Sequence, residues 1–276
     1  MNLAKVKLVV SDMDGTLLNE AGQVSPQFFE LHKQLKKHNV HFIAASGRQY
    51  YSIIDKLDRI KNEITVIAEN GGIAKYGDKI LLTKSLPKKI VKELILKIRG
   101  IDDAYIVLCG MKSGYVESKK EEFLSVFSEY YKKYELVDDL LDQVDNDEFF
   151  KIAVYSFNGS ERTTYPSFDK EYDDFKAKVS AHNWLDIMGS DTNKGGALQH
   201  IQDLLNITSE ETLVFGDYNN DLEMMGLAHF SYAMENAHPN VLAAASYHTK
   251  SNEALGVEHV LEQLINAKEK LDTKSR

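Results

Sequence analysis

Four short stretches carry residue types able to hold and transfer an anion: SDMDGT at 11–16, ASGR at 45–48, NKGGAL at 193–198 and GDYNNDLEMM at 216–225. In the first, Asp12 and Asp14 stand directly after the apolar run Val6–Val10. Burying an unpaired carboxylate costs several kcal/mol, so a metal ion, a basic partner or solvent has to offset it. With Asp217 these acids supply three hard oxygen ligands, the donor type of Mg2+, which is usually held by one or two carboxylates plus a substrate phosphate. Two carboxylates about 4 Å apart repel by roughly 4 kcal/mol at an effective dielectric of about 20, which a cation would relieve. If the chain stays extended past the strand, Asp12 and Asp14 share one side, one placed to attack phosphorus and the other to shuttle a proton. Gly15 permits a tight turn, and Thr16 a hydrogen bond within it. Ser46 and Gly47, read as following a strand and opening a helix, offer a hydroxyl and backbone N–H groups to an anion. Lys194, at another helix start, is a point charge for phosphate, and Asn220 a donor to the same group. Asp221 is placed to orient Lys194 or the waters of a metal. GDYNND is not an EF-hand loop, since Leu222 and Ala228 stand where that loop needs Gly and Glu.

These residues need elements that bring them together. Val6–Val10 is β-branched and apolar apart from one lysine, the composition of a strand buried on both faces. Ser25-Pro26 opens a helix, Ser as N-cap and Pro in the first turn, with Phe28, Leu31 and Leu35 at helical spacing. His41–Ser46 and Ile64–Asn70 read as strands on either side of a helix at Tyr50–Leu57. Such alternation predicts a parallel sheet covered by helices, with ligands collecting at the carboxyl ends of its strands. The rhythm then changes. A hairpin turning at Gly77-Asp78 leads to a helix at Pro87–Arg99, strands at Ala104–Cys109 and Tyr115–Ser118, and a helix at Lys119–Tyr134. A strand at Phe149–Phe157, a helix at Ser167–Val179 and a strand around Leu185–Met188 follow. The acidic stretch Asp138–Glu148 reads as a solvated face or loop. Strands and helices in runs predict an inserted α+β module. From Asn193 the alternation resumes, with a helix at Lys194–Leu205, a strand at Thr212–Asp217 and an amphipathic helix at the C-terminus.

Composition narrows the partners. The chain has 276 residues, 43% apolar and 27% charged, an ordinary globular balance. Its net charge of −9 disfavours nucleic acid, whose phosphates it would repel. The single cysteine, Cys109, forms no intrachain disulfide, which fits a reducing, cytoplasmic setting. The first residues carry too few consecutive apolar positions for a signal peptide or membrane span, so no membrane partner is expected.

Together DMDGTLL, SGR, the lysine of NKGGAL and GDxxND resemble the haloacid dehalogenase-like (HAD) hydrolase superfamily. The module inserted between the second and third motifs, with ENGG (Glu69–Gly72) before it and GDYNNDLEMM after it, is similar to the Cof-type phosphatase subfamily with its large α/β cap. The resemblance covers nearly the whole chain. It implies an α/β fold: a Rossmann-like parallel-sheet core over 1–83 and 186–276, with an inserted α+β cap domain over 84–185. It also implies a Mg2+-dependent phosphatase of small phosphorylated metabolites such as sugar phosphates. Asp12 would be the nucleophile, forming an aspartyl-phosphate. Asp14 would be the general acid and then the base for water. Asp12, the backbone carbonyl of Asp14 and Asp217 would bind Mg2+. Ser46, Lys194 and Asn220, with the backbone of Met13 and Gly47, would hold the phosphoryl group. Asp221 would support them. Tyr218 and Asn219 depart from the small residues frequent at those positions, so a tyrosine here either narrows the pocket or points away from it.

Two other classes use the same residues: a phosphomutase or phosphotransferase, and a phosphometabolite-binding regulator without turnover. An idle relative is expected to have lost one of Asp12, Asp14, Lys194 or Asp217, and all four are present. The architecture leads to the expectation of a mobile cap with hinges near Thr83–Leu86 and Asn183–Asp186, closing to exclude water.

Overall fold

The computed structural model describes residues 2–170 and 172–274. The chain begins with β1 (Leu8–Ser11), α1 (Pro26–Lys37), β2 (His41–Ala45), α2 (Tyr50–Lys56) and β3 (Thr65–Ala68), then β4 (Ile73–Tyr76) and β5 (Lys79–Thr83). A second set follows: α3 (Lys88–Arg99), β6 (Tyr105–Gly110), β7 (Gly114–Val116), α4 (Glu121–Tyr130), β8 (Tyr134–Leu136), β9 (Phe149–Tyr155), α5 (Ser160–Thr163), β10 (Phe175–Ala181) and β11 (Trp184–Gly189). The last stretch holds α6 (Lys194–Leu205), β12 (Thr212–Gly216), α7 (Leu222–Met225), β13 (Phe230–Ala233), α8 (Pro239–Ala244), β14 (Tyr247–His248) and α9 (Gly256–Lys274). These elements form two compact units, one of Met1–Gly47, Ile53–Leu82 and Asn193–Arg276, the other of Arg48–Ser52 and Thr83–Thr192. Among the described residues no helix is long and apolar enough to cross a membrane.

The first unit holds the sheet β14-β13-β12-β1-β2-β3-β4-β5. From β14 to β3 every pairing is parallel, and β4 returns antiparallel on β3. Every residue of β1, β3 and β12 is buried, as strands covered on both faces require. Ser25 caps α1 by accepting from the Phe28 N–H at 3.1 Å, and Phe28 packs on Phe42 of β2 with ring centroids 5.0 Å apart. Register fixes the functional end of this sheet. Ser11 pairs with both Phe215 and Ala44, and Ala45 with Ile67. Residues 12, 45, 67 and 216 therefore stand side by side at the carboxyl edge, although over 200 residues separate the first from the last.

The second unit holds the sheet β10-β11-β9-β6-β7-β8. Its pairings are antiparallel except β7 with β8. Period-two alternation divides its strands between two cores. Ile106, Leu108, Ile152 and Val154 join Val91, Leu94, Ile95 and Ile98 of α3. Val107, Cys109, Ala153 and Tyr155 join Phe123 and Phe127 of α4 and Tyr131.

Several local expectations are corrected. The helix expected over Ser167–Val179 is not formed; instead β10 runs from Phe175 to Ala181. There Phe175, Ala177 and Val179 face the core with period two while Lys176 and Lys178 alternate with them. The helix expected over Lys119–Tyr134 stops at Tyr130, and β8 begins at Tyr134. The stretch Asp138–Glu148 is more than a solvated face. It contains a short helical turn with buried Leu140, and buried Asp147 accepts from the Lys112 N–H at 2.9 Å and the Tyr115 hydroxyl at 3.0 Å. Residues 184–189 are strand β11, paired on both sides, so the segment given a hinge at Asn183–Asp186 runs into a sheet.

Candidate active site

The first unit gathers the four stretches at the carboxyl edge of its sheet. Asp12 follows β1, its N–H donating to Phe215 O at 3.1 Å, and the residue is 5% exposed. The strand ends at Ser11 and the chain turns at once. Met13 O accepts from the N–H groups of Thr16 and Leu18, and Gly15 takes a φ of +75°. The extended spacing expected for Asp12 and Asp14 therefore does not hold. Asp12 is buried, whereas Asp14 is exposed and bridges to Leu18.

Asn193 accepts from the Gly196 N–H at 2.7 Å and so caps α6, whose first residue is Lys194. This cap aims a fully buried ammonium between two acids. Lys194 Nζ donates to Asp12 Oδ1 at 2.5 Å and to Asp221 Oδ1 at 2.7 Å. The other oxygen of Asp221, Oδ2, accepts from the N–H groups of Asp217 and Tyr218 at 3.0 and 3.1 Å. Asp221 thus ties the lysine to the loop after β12. Asp217 Oδ1 accepts from the Thr16 hydroxyl at 3.0 Å, and the Asn236 amide donates to Gly15 O at 2.8 Å.

Carboxylate oxygens of Asp12, Asp217 and Asp221 lie within 4.8 Å of one another. Asp14 is outside this cluster, but its charge still reaches Asp12. Burial pushes the Asp12 carboxyl well up; the ammonium of Lys194 opposes this, and Asp221, Asp217 and Asp14 reinforce it. Burial first, then Asp221, pushes Asp217 up to about 6. Burial alone would lower Lys194, but Asp12 and Asp221 outweigh it and hold the ammonium above its ordinary value. The site is thus crowded with carboxylate charge and made of hard oxygen donors, a set that suits a divalent cation.

Ser46 is buried just past β2, its N–H donating to Ile67 O at 2.9 Å. α2 begins only at Tyr50, so Ser46 and Gly47 lie in a loop and not in a helix's first turn, as had been expected. Asn220 is half-buried in the short turn Asn219–Asp221 and donates from its amide to Asn70 Oδ1 at 3.1 Å. Tyr218 is exposed, its ring edge-on to His238.

Thr16, expected to hydrogen-bond inside its own turn, donates to Asp217 instead. Asn70, Asn193 and Asn236 had no assigned part. An asparagine directly before a helix is a legible cap. The bonds made by Asn70 and Asn236 span 150 and 221 residues and leave no local trace.

The comparisons agree with this geometry. The haloacid dehalogenase-like hydrolase family matches residues 9–261. The 5-amino-6-(5-phospho-D-ribitylamino)uracil phosphatase YbjI of Escherichia coli (strain K12) is 32% identical over 263 residues, covering 94% of this chain and 96% of that protein. The putative phosphatase YxeH of Bacillus subtilis (strain 168) is 28% identical over 276 residues, covering 95% of this chain and 99% of that protein. The crystal structure of SMU.1108c from Streptococcus mutans UA159 superposes with a TM-score of 0.85 at 29% identity, over 95% of this chain and 99% of that one. With the match running across both units, and the motifs meeting at one sheet edge, the chain belongs to the haloacid dehalogenase-like hydrolases.

Proposed function

We propose that this phosphoric monoester hydrolase is a cytoplasmic, Mg2+-dependent phosphatase of small phosphorylated metabolites that works through an aspartyl-phosphate on Asp12. The observation that carries the reading is the buried cluster in which Lys194 is shared by Asp12 and Asp221, with Asp217 alongside. Asp12, Asp217 and the backbone carbonyl of Asp14 would hold the cation. Once bound, the cation offsets the carboxylate charge and that of the incoming phosphate.

The chain's own groups then divide the work. An Asp12 carboxylate oxygen attacks phosphorus, the bond to the leaving oxygen breaks, and Asp14 gives that oxygen its proton. In the second half, Asp14 takes a proton from water, whose oxygen attacks the same phosphorus, and Asp12 returns as a carboxylate with inorganic phosphate released. Asp14 is exposed, as a group exchanging protons with leaving group and water has to be. Lys194 has three N–H bonds, two of them turned to Asp12 and Asp221, and the third is left for a phosphoryl oxygen. Ser46, Asn220 and the N–H groups of Met13 and Gly47 complete the cradle. Phosphoryl transfer is catalysed mainly by positioning and charge neutralisation, which is what such an inventory supplies.

The test is release of inorganic phosphate from a panel of sugar phosphates, nucleotides and phosphorylated cofactors, with Mg2+ and with chelator. 5-Amino-6-(5-phospho-D-ribitylamino)uracil, named in the 32% identical relative, belongs on the panel. Wild type is expected to release phosphate only with Mg2+, and Asp12→Asn to lose at least about 10³-fold in kcat. Isomerised phosphate in place of free phosphate would make the protein a mutase. No release by folded wild type, or an active Asp12→Asn variant, would overturn the reading.

A further inference from the structure

The turn after β3 takes no part in the reaction just described, yet it touches three of the loops that do. Glu69, Asn70 and Gly71 hold φ angles of 50°, 54° and 95° in succession, a left-handed run that non-glycine residues adopt rarely. The turn is nonetheless buried, Glu69 being 2% and Asn70 6% exposed. The Asn70 N–H donates to Ser46 O at 3.0 Å, and its Oδ1 accepts from the Asn220 amide at 3.1 Å. Its amide also lies against Gly47, where a Cβ would stand 3.0 Å from Oδ1 and 3.1 Å from Nδ2. On the far side, a Cβ on Gly71 would collide with the carbonyl oxygen of Asn193, the cap of the helix that presents Lys194. The tight turn that joins antiparallel β3 and β4, closed by the Gly72 N–H on Glu69 O at 3.1 Å, uses such backbone at Asn70 and Gly71. It also brings one carboxamide between Gly47 and Asn220, two groups assigned above to the phosphoryl cradle.

A carboxamide carries a donor end and an acceptor end, and only its partners decide which end faces a ligand. An oxygen turned to a phosphoryl group repels it, whereas an N–H binds it. By accepting one N–H of Asn220, the oxygen of Asn70 leaves the second N–H of that amide to donate elsewhere. We infer that Asn70 is a positioning residue that fixes the rotation and sense of the Asn220 amide, so that an N–H and not the carbonyl oxygen meets the transferring phosphoryl group. The inference rests on the phosphatase reading for the role of Asn220.

A double-mutant cycle tests it. Asn70→Gly removes the side chain but keeps the left-handed backbone, which glycine adopts freely; an unchanged circular dichroism spectrum confirms its fold. Asn70→Ser run through the same cycle serves if the glycine variant does not fold. Asn70→Gly is expected to lower kcat/KM about tenfold, with inhibition by inorganic phosphate weakened to match, the scale of one hydrogen bond to a charged group. In an Asn220→Ala background the same change is expected to cost less than about twofold, because the group through which Asn70 acts is gone. Multiplying effects, or an Asn70→Gly variant as active as wild type, would overturn the inference. Should wild type release no phosphate at all, the phosphatase reading falls. Calorimetric binding of inorganic phosphate to wild type and Asn70→Gly then tests Asn70 separately, with equal affinity counting against it.

Discussion

At the scale of single residues the site is a problem in charge. Lys194 is wholly buried and faces Asp12 and Asp221, while Asp217 stands close by. Burial raises these carboxyls first, and one ammonium against three carboxylates leaves a surplus of negative charge that adds to it: Asp12 is pushed well upward and Asp217 to about 6. A carboxylate so raised holds a proton that a cation has to displace, so proton and metal compete. The direction follows. Above about pH 6 Asp217 is ionised and ready to coordinate; as pH falls through 6 it takes up a proton, and each proton displaced weakens binding about tenfold per pH unit. Mg2+ affinity, read by titration calorimetry, is therefore expected to be at least about tenfold weaker at pH 5 than at pH 7. Asp217→Asn is expected to be weak at both and to lose part of the slope. A wild-type affinity independent of pH would show that the carboxylates of this cluster do not hold the ion.

At the scale of elements, the contact of α1 with β2 shows how a helix can carry pH sensitivity far from the chemistry. His32, 1% exposed, packs on Phe28 and Phe42 with centroids 6.3 and 6.1 Å away, and its Nδ1 has no hydrogen-bond partner among the described residues. Burial lowers its pKa from 6.5 to about 4. Between those values the unfolded chain binds the proton and the folded chain does not. The stability this neutral imidazole provides is therefore present above pH 6.5, is lost as pH falls toward 4, and changes no further below that. His32→Leu is expected to flatten the fall in unfolding free energy between pH 6.5 and 5 by roughly 1 kcal/mol per pH unit, under the 1.4 limit for one proton. Urea titrations at the two pH values measure it, and parallel falls would refute it. The same contact explains what the sequence discloses and what it withholds. The cap at Ser25, the apolar spacing along α1 and the buried runs of β1, β2 and β12 are local signals, and they suffice to bring Asp12, Ser46 and Asp217 to one edge. Where two periodicities overlap, as over Phe168–Val179, only pairing with β11 decides in favour of a strand. Where a side chain crosses the fold, as Asn70 does to Asn220 or Thr16 to Asp217, no spacing announces it.

At the scale of the molecule, the residues of the candidate site, Asp12, Ser46, Asn70, Lys194, Asp217 and Asn220, all belong to the first unit. That unit is assembled from three separate stretches of chain, so a ligand gripping residues 12 and 217 together restrains segments over 200 residues apart. Anything that binds only the folded state stabilises it by mass action, about 2.7 kcal/mol at a hundred times its Kd. For a unit of this size that corresponds to a midpoint rise of roughly 5–10 °C in saturating Mg2+ and inorganic phosphate. The second unit is different in kind. Apart from Arg48–Ser52 it is one continuous stretch, Thr83–Thr192, whose sheet is covered on one face by the α3 cluster and on the other by the aromatic cluster of α4. A sheet with a packed core on each face has what an independent domain requires. An excised fragment of residues 83–192 is therefore expected to fold cooperatively by circular dichroism and to show no shift with Mg2+ and phosphate, while the full chain shifts. If the fragment were unfolded, its two cores would depend on the rest of the chain. If it folded and shifted with the ligands, the phosphate-binding groups would have to be sought within 83–192 and not at the edge of β1, β2 and β12.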